Sequence, residues 1–304
     1  INIYIYIYIY YMSIIKLKDT LCAHEPSFFN SKNQDNIIIS RDSIKEGDVV
    51  IYTDNNVNSI NSNSKYNIAS LIESPLINKS SYDYIQNNYN KFDIILTFHK
   101  QFLDLNPNKF KLQLYGTTWI NEKYRQIYNK TNLCSLIASD KKYTTGQILR
   151  HSIIDYLIMK NNTNVDFYGS RFNNLPYMNT KAYTEEHSGC HISNQKINSL
   201  KDYMFSIVIE NCKSDYYFTE KLIDCFLTGT VPIFWGCPSI KNFFNVKGMI
   251  IFDTLEECIN IINSINVNKY NEMKPYIEEN FKIANEKYTK FKFNETEILN
   301  LINN

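Results

Sequence analysis

Two trains of short apolar runs, separated by stretches of helical period, constrain this chain more than any other feature. In the first half the runs are Ser13–Leu17, Val49–Tyr52, Ile68–Ile72, Ile94–Phe98 and Lys111–Leu114, with Asn55–Lys65 reading as a loop. After a polar join near Asn129–Asn132 the rhythm restarts. It predicts a strand over Leu133–Ala138, a helix over Thr145–Lys160, strands over Val165–Tyr168 and Phe205–Ile209, and a helix over Phe218–Thr228. Strands over Val231–Trp235 and Met249–Phe252 and a helix over Leu255–Ile265 complete it. Such alternation favours an α/β architecture built on parallel sheets. Two α/β domains are expected, over 12–130 and 131–270, followed by a tail over 271–304. In that tail a long charged helix, about Glu272 to Tyr288, is expected to return across the first domain. A length of 304 residues agrees with two domains.

Composition removes some classes of function. Net charge is +1 and the Lys and Arg residues are dispersed, so the basic footprint that DNA or RNA binding needs is missing. Seven cysteines at 22, 134, 190, 212, 225, 237 and 258 are odd in number and never spaced C-x-x-C, and are read as reduced rather than as a disulfide framework. The stretch INIYIYIYIYYMSIIKL has about 13 residues of apolar character before Lys16, short of the ~20 needed to span a bilayer. No cationic region precedes it as in a signal peptide. Strict Ile/Tyr alternation is what a repeating TA tract encodes in one frame. Translation is therefore expected to begin at Met12, with residues 1–11 as upstream tract. An authentic β-strand is the rival reading, and a trimmed membrane anchor the third.

In open parallel sheets ligands sit beyond the carboxyl ends of the strands, so the residues just after strands are the ones to inspect. One such stretch is YMFSIVIENCKSDYYFTEKL, residues 203–222. Its apolar run ends at Ile209, Glu210 and Asn211 follow, a polar aromatic turn comes next, and Thr219-Glu220-Lys221 opens a helix. The start of that helix offers unpaired N–H groups and a positive dipole end to an anion, and Lys221 adds a full charge. Glu210, Asn211, Tyr217 and Glu220 supply partners for sugar hydroxyls. Taken alone, Thr219 and Glu220 are an ordinary helix start and Lys221 a solvated residue. That plain reading leaves unexplained why the strand ends in Glu-Asn.

With the following TGTVPIFWGCPSI, this stretch resembles the donor-binding signature of glycosyltransferase family 10, the α-1,3/1,4-fucosyltransferases, with about ten fixed positions over roughly 30 residues. The resemblance implies a GT-B fold: two Rossmann-like domains facing an interdomain cleft, the first for the acceptor and the second for GDP-fucose. It extends to ILRHSIIDYLI and VDFYG, where Arg150 takes the position of an arginine facing the donor diphosphate. The planar fork of Arg suits that role. Asn211, Tyr217, Glu220 and Lys221 are implied donor contacts, and Glu210 orients its neighbours or touches the sugar. Upstream, IESPL, FDIILTF and LYGTTW resemble the acceptor domain, where Glu73 occupies the place of the general base. From the residues alone, Glu73 ends an apolar run before Pro75, which blocks the strand, and would otherwise read as a loop glutamate.

The resemblance implies inverting transfer of fucose to a hydroxyl of a glycan or glycoconjugate, with Glu73 as base and Arg150, Lys221 and the helix start holding the departing diphosphate. A transferase of the same fold using another nucleotide sugar, or a carbohydrate-binding protein without turnover, are the alternatives. No metal cofactor is expected, because the chain has no Asp-x-Asp. The group Glu185, Glu186, His187, Cys190 and His191 lies in a loop with no distant second pair and is not read as a zinc site. Trp119 is read as core rather than as a sugar platform. Cys212 stands where the family usually has Ser. With no anchor or stem recognised, the expectation is a cytoplasmic or otherwise soluble form, with the Golgi lumen possible only if an anchor is missing.

Overall fold

The computed structural model describes residues 13–19, 34–169, 180–181 and 196–303. The Ile/Tyr tract and the Glu185–His191 group lie outside the described residues. The chain divides into two compact units, Ile1–Tyr115 with Lys290–Asn304, and Gly116–Thr289.

The first unit is built on six parallel strands: β1 (Ser13–Lys18), β2 (Ile37–Ser40), β3 (Val49–Thr53), β4 (Tyr66–Leu71), β5 (Ile94–Thr97) and β6 (Phe110–Leu112). Their order is β2-β1-β3-β4-β5-β6. Helices α1 (Lys79–Asn88) and α2 (Lys100–Leu105) follow β4 and β5. β3 and β5 are buried along their whole length. Parallel strands with both faces covered carry continuous apolar runs rather than alternation. Tyr82, Ile85 and Phe102 from the helices pack with Val50, Tyr52, Leu71 and Ile95 in one cluster. Ile15, Ile51, Ile68 and Leu96 belong to another, completed by Phe291, Phe293 and Ile298 from the far end of the chain.

The second unit repeats the plan with β7 (Asn132–Ile137), α3 (Thr145–Met159), β8 (Val165–Tyr168), β9 (Thr180–Lys181), β10 (Tyr203–Ile209), α4 (Glu220–Phe226), β11 (Val231–Trp235), β12 (Ile250–Ile251), α5 (Leu255–Ser264) and α6 (Val267–Lys287). The order β12-β11-β10-β7-β8-β9 is parallel throughout. The chain therefore winds outward in one direction from β7 and in the other from β10. Between those two strands lies the switch point where doubly wound sheets leave a crevice.

Sequence and structure differ at three places. Strands β2 and β9 were not anticipated, being an edge strand of four residues in an Asn-rich stretch and one of two residues. The polar segment 116–130 belongs to the second unit, not to a first domain ending at 130. Its tether is hydrogen bonding: Thr118 Oγ1 and the Trp119 N–H donate to Asp224, and Lys130 Nζ donates to the carbonyls of Leu200, Lys201 and Thr228. The long charged helix belongs to the second unit. α6 starts at Val267 behind an Asn266 cap and buries Tyr270, Met273 and Ile277 in the core of the second unit. The return is made instead by residues 290–304, ending in α7 (Glu295–Asn303), whose Glu295 accepts the N–H groups of Asp35 and Asn36 at 2.7 and 2.9 Å.

Candidate functional site

At the switch point of the second sheet, α3 begins where β10 ends. Thr144 caps α3 in a reciprocal capping box with Gln147, which fixes the entry angle of the helix. Gly146 then lies against the end of β10: its N–H donates to the Asn211 carbonyl at 3.2 Å, and a Cβ there would fall 1.7 Å from the Glu210 carbonyl oxygen. Only glycine permits this approach. One turn on, Arg150 points back at the strand and donates from a terminal guanidinium nitrogen to the Ile209 carbonyl at 2.5 Å. Burial lowers its affinity for its proton, opposed by the charges of Glu210 and Glu220 and by Tyr217.

Glu210 is 0% exposed and does not face solvent or a cavity. Its carboxylate accepts the Thr219 N–H at 2.8 Å and the Thr219 hydroxyl at 2.8 and 3.0 Å, and lies 3.4 Å from Lys221 Nζ. Gly236 leaves it room, since a Cβ there would lie 2.9 Å from Glu210 Cγ. The Glu of the Glu-Asn pair is therefore an anchor that ties the strand end to the start of α4. It also engages part of the helix start that was expected to face a phosphate. α4 has only seven residues, its leading N–H is taken by Glu210, and the Lys221 N–H turns to Thr219 Oγ1 at 3.4 Å.

Lys221 and Glu220 instead present side chains. Lys221 Nζ contacts Thr219 Oγ1 at 3.0 Å and Glu220 Oε1 at 3.2 Å, and its side chain is 26% exposed. Burial works against both charges. The Lys221 and Lys196 ammonium groups nonetheless bring the Glu220 carboxyl down to about 2, and Glu220 and Glu210 raise Lys221 above the usual lysine range. Farther along α4, Asp224 is fully buried, pairs with Lys196 at 2.5 Å, and accepts Thr118 Oγ1 at 2.5 Å and the Trp119 N–H at 3.0 Å. Three cations, Arg150, Lys196 and Lys221, thus meet three carboxylates, Glu210, Glu220 and Asp224.

A cavity of about 430 Å³ opens here, within the range that takes a drug-sized ligand. Arg150, Glu220, Lys221, Lys196 and Trp119 line it, over an apolar floor that includes Ile207 and Ile209 of β10. Arg150, Glu220 and Lys221 are thereby brought together as expected. Asn211, half-buried, and Tyr217, 2% exposed, are not among the lining residues, although Tyr217 is close enough to Arg150 to weigh on its charge. Cys212 is buried. Glu73 lies in the first unit, half-buried just past β4.

Sequence reasoning missed Lys196 and Asp224, and took Trp119 for core where it is a half-buried wall of the cavity. Asp224 left a signal: a lone acid in the otherwise apolar LIDCF, one turn past Glu220. Among the described residues no three His, Cys, Asp or Glu side chains converge as a metal ligand set would. Nor is any helix among them long and apolar enough to cross a membrane.

Known proteins resemble this chain in sequence and in fold. An α-(1,3)-fucosyltransferase of Helicobacter pylori is 36% identical over 73 residues, 23% of this chain and 15% of that protein. A putative fucosyltransferase of Acanthamoeba polyphaga mimivirus is 28% identical over 125 residues, 41% of this chain and 19% of that one. The chain thus aligns with less than a fifth of either relative. Among solved structures, an α1,3-fucosyltransferase crystallised with GDP superposes with a TM-score of 0.60 at 19% identity, covering 96% of this chain and 90% of that one. TarM of S. aureus superposes at 0.54 and 14% identity, covering 84% and 55%. These likenesses establish the two-unit parallel architecture as GT-B in type. Residues 127–293, which hold the whole cluster from Arg150 to Asp224, match the family model for the C-terminal region of glycosyltransferase family 10 (fucosyltransferase), and the chain belongs to that family.

Proposed function

We propose that the chain transfers fucose from GDP-fucose to a hydroxyl of a glycan acceptor, with inversion at the anomeric carbon. The observation that carries this reading is the pairing of Arg150 with Lys221 on one cavity at the sheet switch point, inside the region matching the family. Relatives crystallised with GDP and with GDP-fucose support the choice of donor. In the reaction the acceptor oxygen bonds to the sugar C1 while the bond from C1 to the β-phosphate oxygen breaks. The acceptor proton goes to the Glu73 carboxylate, a contribution on the order of 10² to 10⁴ in rate. The electron pair leaves with GDP, whose diphosphate is held by Arg150 and Lys221; no metal is invoked. Glu220, Asn211 and Tyr217 are assigned to the donor, with Glu220 also keeping Lys221 charged.

The three carboxylates, two of them fully buried, balance the three cations before any donor arrives. An incoming diphosphate therefore meets a Lys221 that Glu210 and Glu220 already hold charged and in place, and its affinity depends on that positioning. The test is GDP release from a panel of GDP-sugars, with and without oligosaccharide acceptors, for the wild type beside Lys221→Ala and Glu73→Gln. Release from GDP-fucose alone, lost in both variants, is the expected result. Turnover of a different GDP-sugar, glycan binding without turnover, or full activity in both variants would each overturn the reading.

A further inference from the structure

The rim of the first sheet holds a second acid that the proposed reaction does not use. Asp54 directly follows β3, at 0% exposure, with φ at +39°, a left-handed backbone that a non-glycine residue seldom adopts. Its Oδ1 accepts the N–H groups of Ile72 and Glu73 at 3.0 and 3.3 Å. These two N–H groups lie just past the end of β4, where the ladder no longer serves them. On the other side of the same residue, the Tyr82 hydroxyl donates to the Glu73 carbonyl at 2.9 Å. The Glu73 backbone is thus gripped at both its N–H and its carbonyl by side chains from two other elements.

A strand end can be capped at much lower cost than this. No cation among the described residues forms an ion pair with Asp54, and its Oδ2 is buried without a hydrogen-bond partner, the Asn78 amide approaching outside bonding geometry. Burial first, then the neighbouring charge of Glu73, pushes the Asp54 carboxyl up to about 7, against the N–H groups of Ile72 and Glu73. A folded-state value raised above the unfolded one means stability that is full below pH ~4 and lost as pH rises through 7. Asp54 therefore weakens the fold at neutral pH, as do the strained backbone and the unpartnered oxygen. Groups kept at a cost to stability cluster at working sites.

We infer that Asp54 is a positioning residue for Glu73: it fixes the Glu73 main chain at the strand end and so sets where the Glu73 carboxylate stands. The inference rests on the reading of Glu73 as the base. Other titratable groups at this rim are Tyr82 and His99, whose rings meet edge-on at 5.2 Å, with His99 held toward its neutral form by burial.

The test compares wild type, Glu73→Gln, Asp54→Asn and Asp54→Ala as full chains, with GDP-fucose and an oligosaccharide acceptor. Glu73→Gln is expected to lose at least 100-fold in transfer. Asp54→Asn keeps an acceptor for the two N–H groups but loses the charge. It is expected to keep kcat within about threefold of wild type with the donor KM unchanged, and to leave Tm at pH 8 no lower than wild type. Asp54→Ala, which removes the acceptor, is expected to lower kcat about tenfold with the donor KM unchanged. A purely structural cap would instead lower Tm and raise the donor KM along with the fall in kcat, and that would overturn the inference. So would an Asp54→Ala enzyme with the wild-type kcat. Should Glu73→Gln retain full transfer, the base assignment itself falls, an outcome separate from failure of Asp54→Ala alone.

Discussion

Replacing Glu210 by Gln probes the second unit at one atom. The amide keeps one oxygen for the Thr219 N–H at 2.8 Å but sets an NH₂ against the Thr219 hydroxyl and the Lys221 ammonium, 3.4 Å away. A charge-assisted hydrogen bond contributes about 1.5–3 kcal/mol, and breaking a buried pair on one side costs about 3–5. Lys221 is 26% exposed and keeps Glu220, so the lower part of that range applies, about 2–3 kcal/mol. In a unit of this size each kcal/mol moves Tm by about 2–4 °C, giving a fall of about 4–12 °C. Because Lys221 loses one of its two acids and its fixed place, GDP affinity should fall about tenfold, or 1.4 kcal/mol. Calorimetric unfolding and GDP titration measure both. A variant with unchanged Tm but weakened GDP would mean that Glu210 touches the donor directly, and a variant unchanged in both would remove its anchoring role.

Gly146→Ala places a methyl group 1.7 Å from the Glu210 carbonyl oxygen, which is backbone and cannot swing aside, so more than about 3 kcal/mol of stability and the Arg150 position should be lost together; near-normal urea unfolding would contradict this. Burial raises the Glu220 carboxyl but Lys221 and Lys196 bring it from 4.5 to about 2, so it stabilises the fold fully above pH 4.5 and ceases to do so as pH falls toward 2, by at most about 3 kcal/mol. Glu220→Gln should flatten the Tm profile over that window, and parallel profiles would refute the assignment. Lys130→Met leaves the carbonyls of Leu200, Lys201 and Thr228 without their shared donor at the amino ends of the strands. Loss of about 2–4 kcal/mol of stability is expected, with GDP affinity unchanged in the folded protein; weaker GDP binding by the folded variant would count against it.

Local chemistry was enough to write most of the elements. Ten of the strands announce themselves as largely apolar runs, because strands inside a parallel sheet are mostly covered, and α3 is marked by its Thr144/Gln147 cap. Glu220 and Lys221 were legible for a related reason, since they open a helix just past a strand, where a doubly wound sheet collects its ligands, whereas Arg150, inside α3, was marked only by the family resemblance. Glu73 stands just past a strand as expected, but only the family resemblance set it apart from a loop glutamate.

Other features are settled by what lies far away along the chain. Asp224 and Lys196 look unremarkable in sequence, and become a buried pair only when α4 and the approach to β10 pack together. Glu210 has the composition of a ligand and the environment of an anchor, a distinction made by Gly236 and Thr219 closing over it. Asp54 sits 19 positions before the residue it grips. Unit membership is likewise non-local. Phe291 and Phe293 complete a core begun near Ile15, whereas the charged helix before them buries its apolar stripe where it already lies. Periodicity and strand-end chemistry are properties of a few consecutive residues and can be read in order. Burial, pairing and proton affinity depend on which distant side chains exclude water from a group, and only the folded chain decides that.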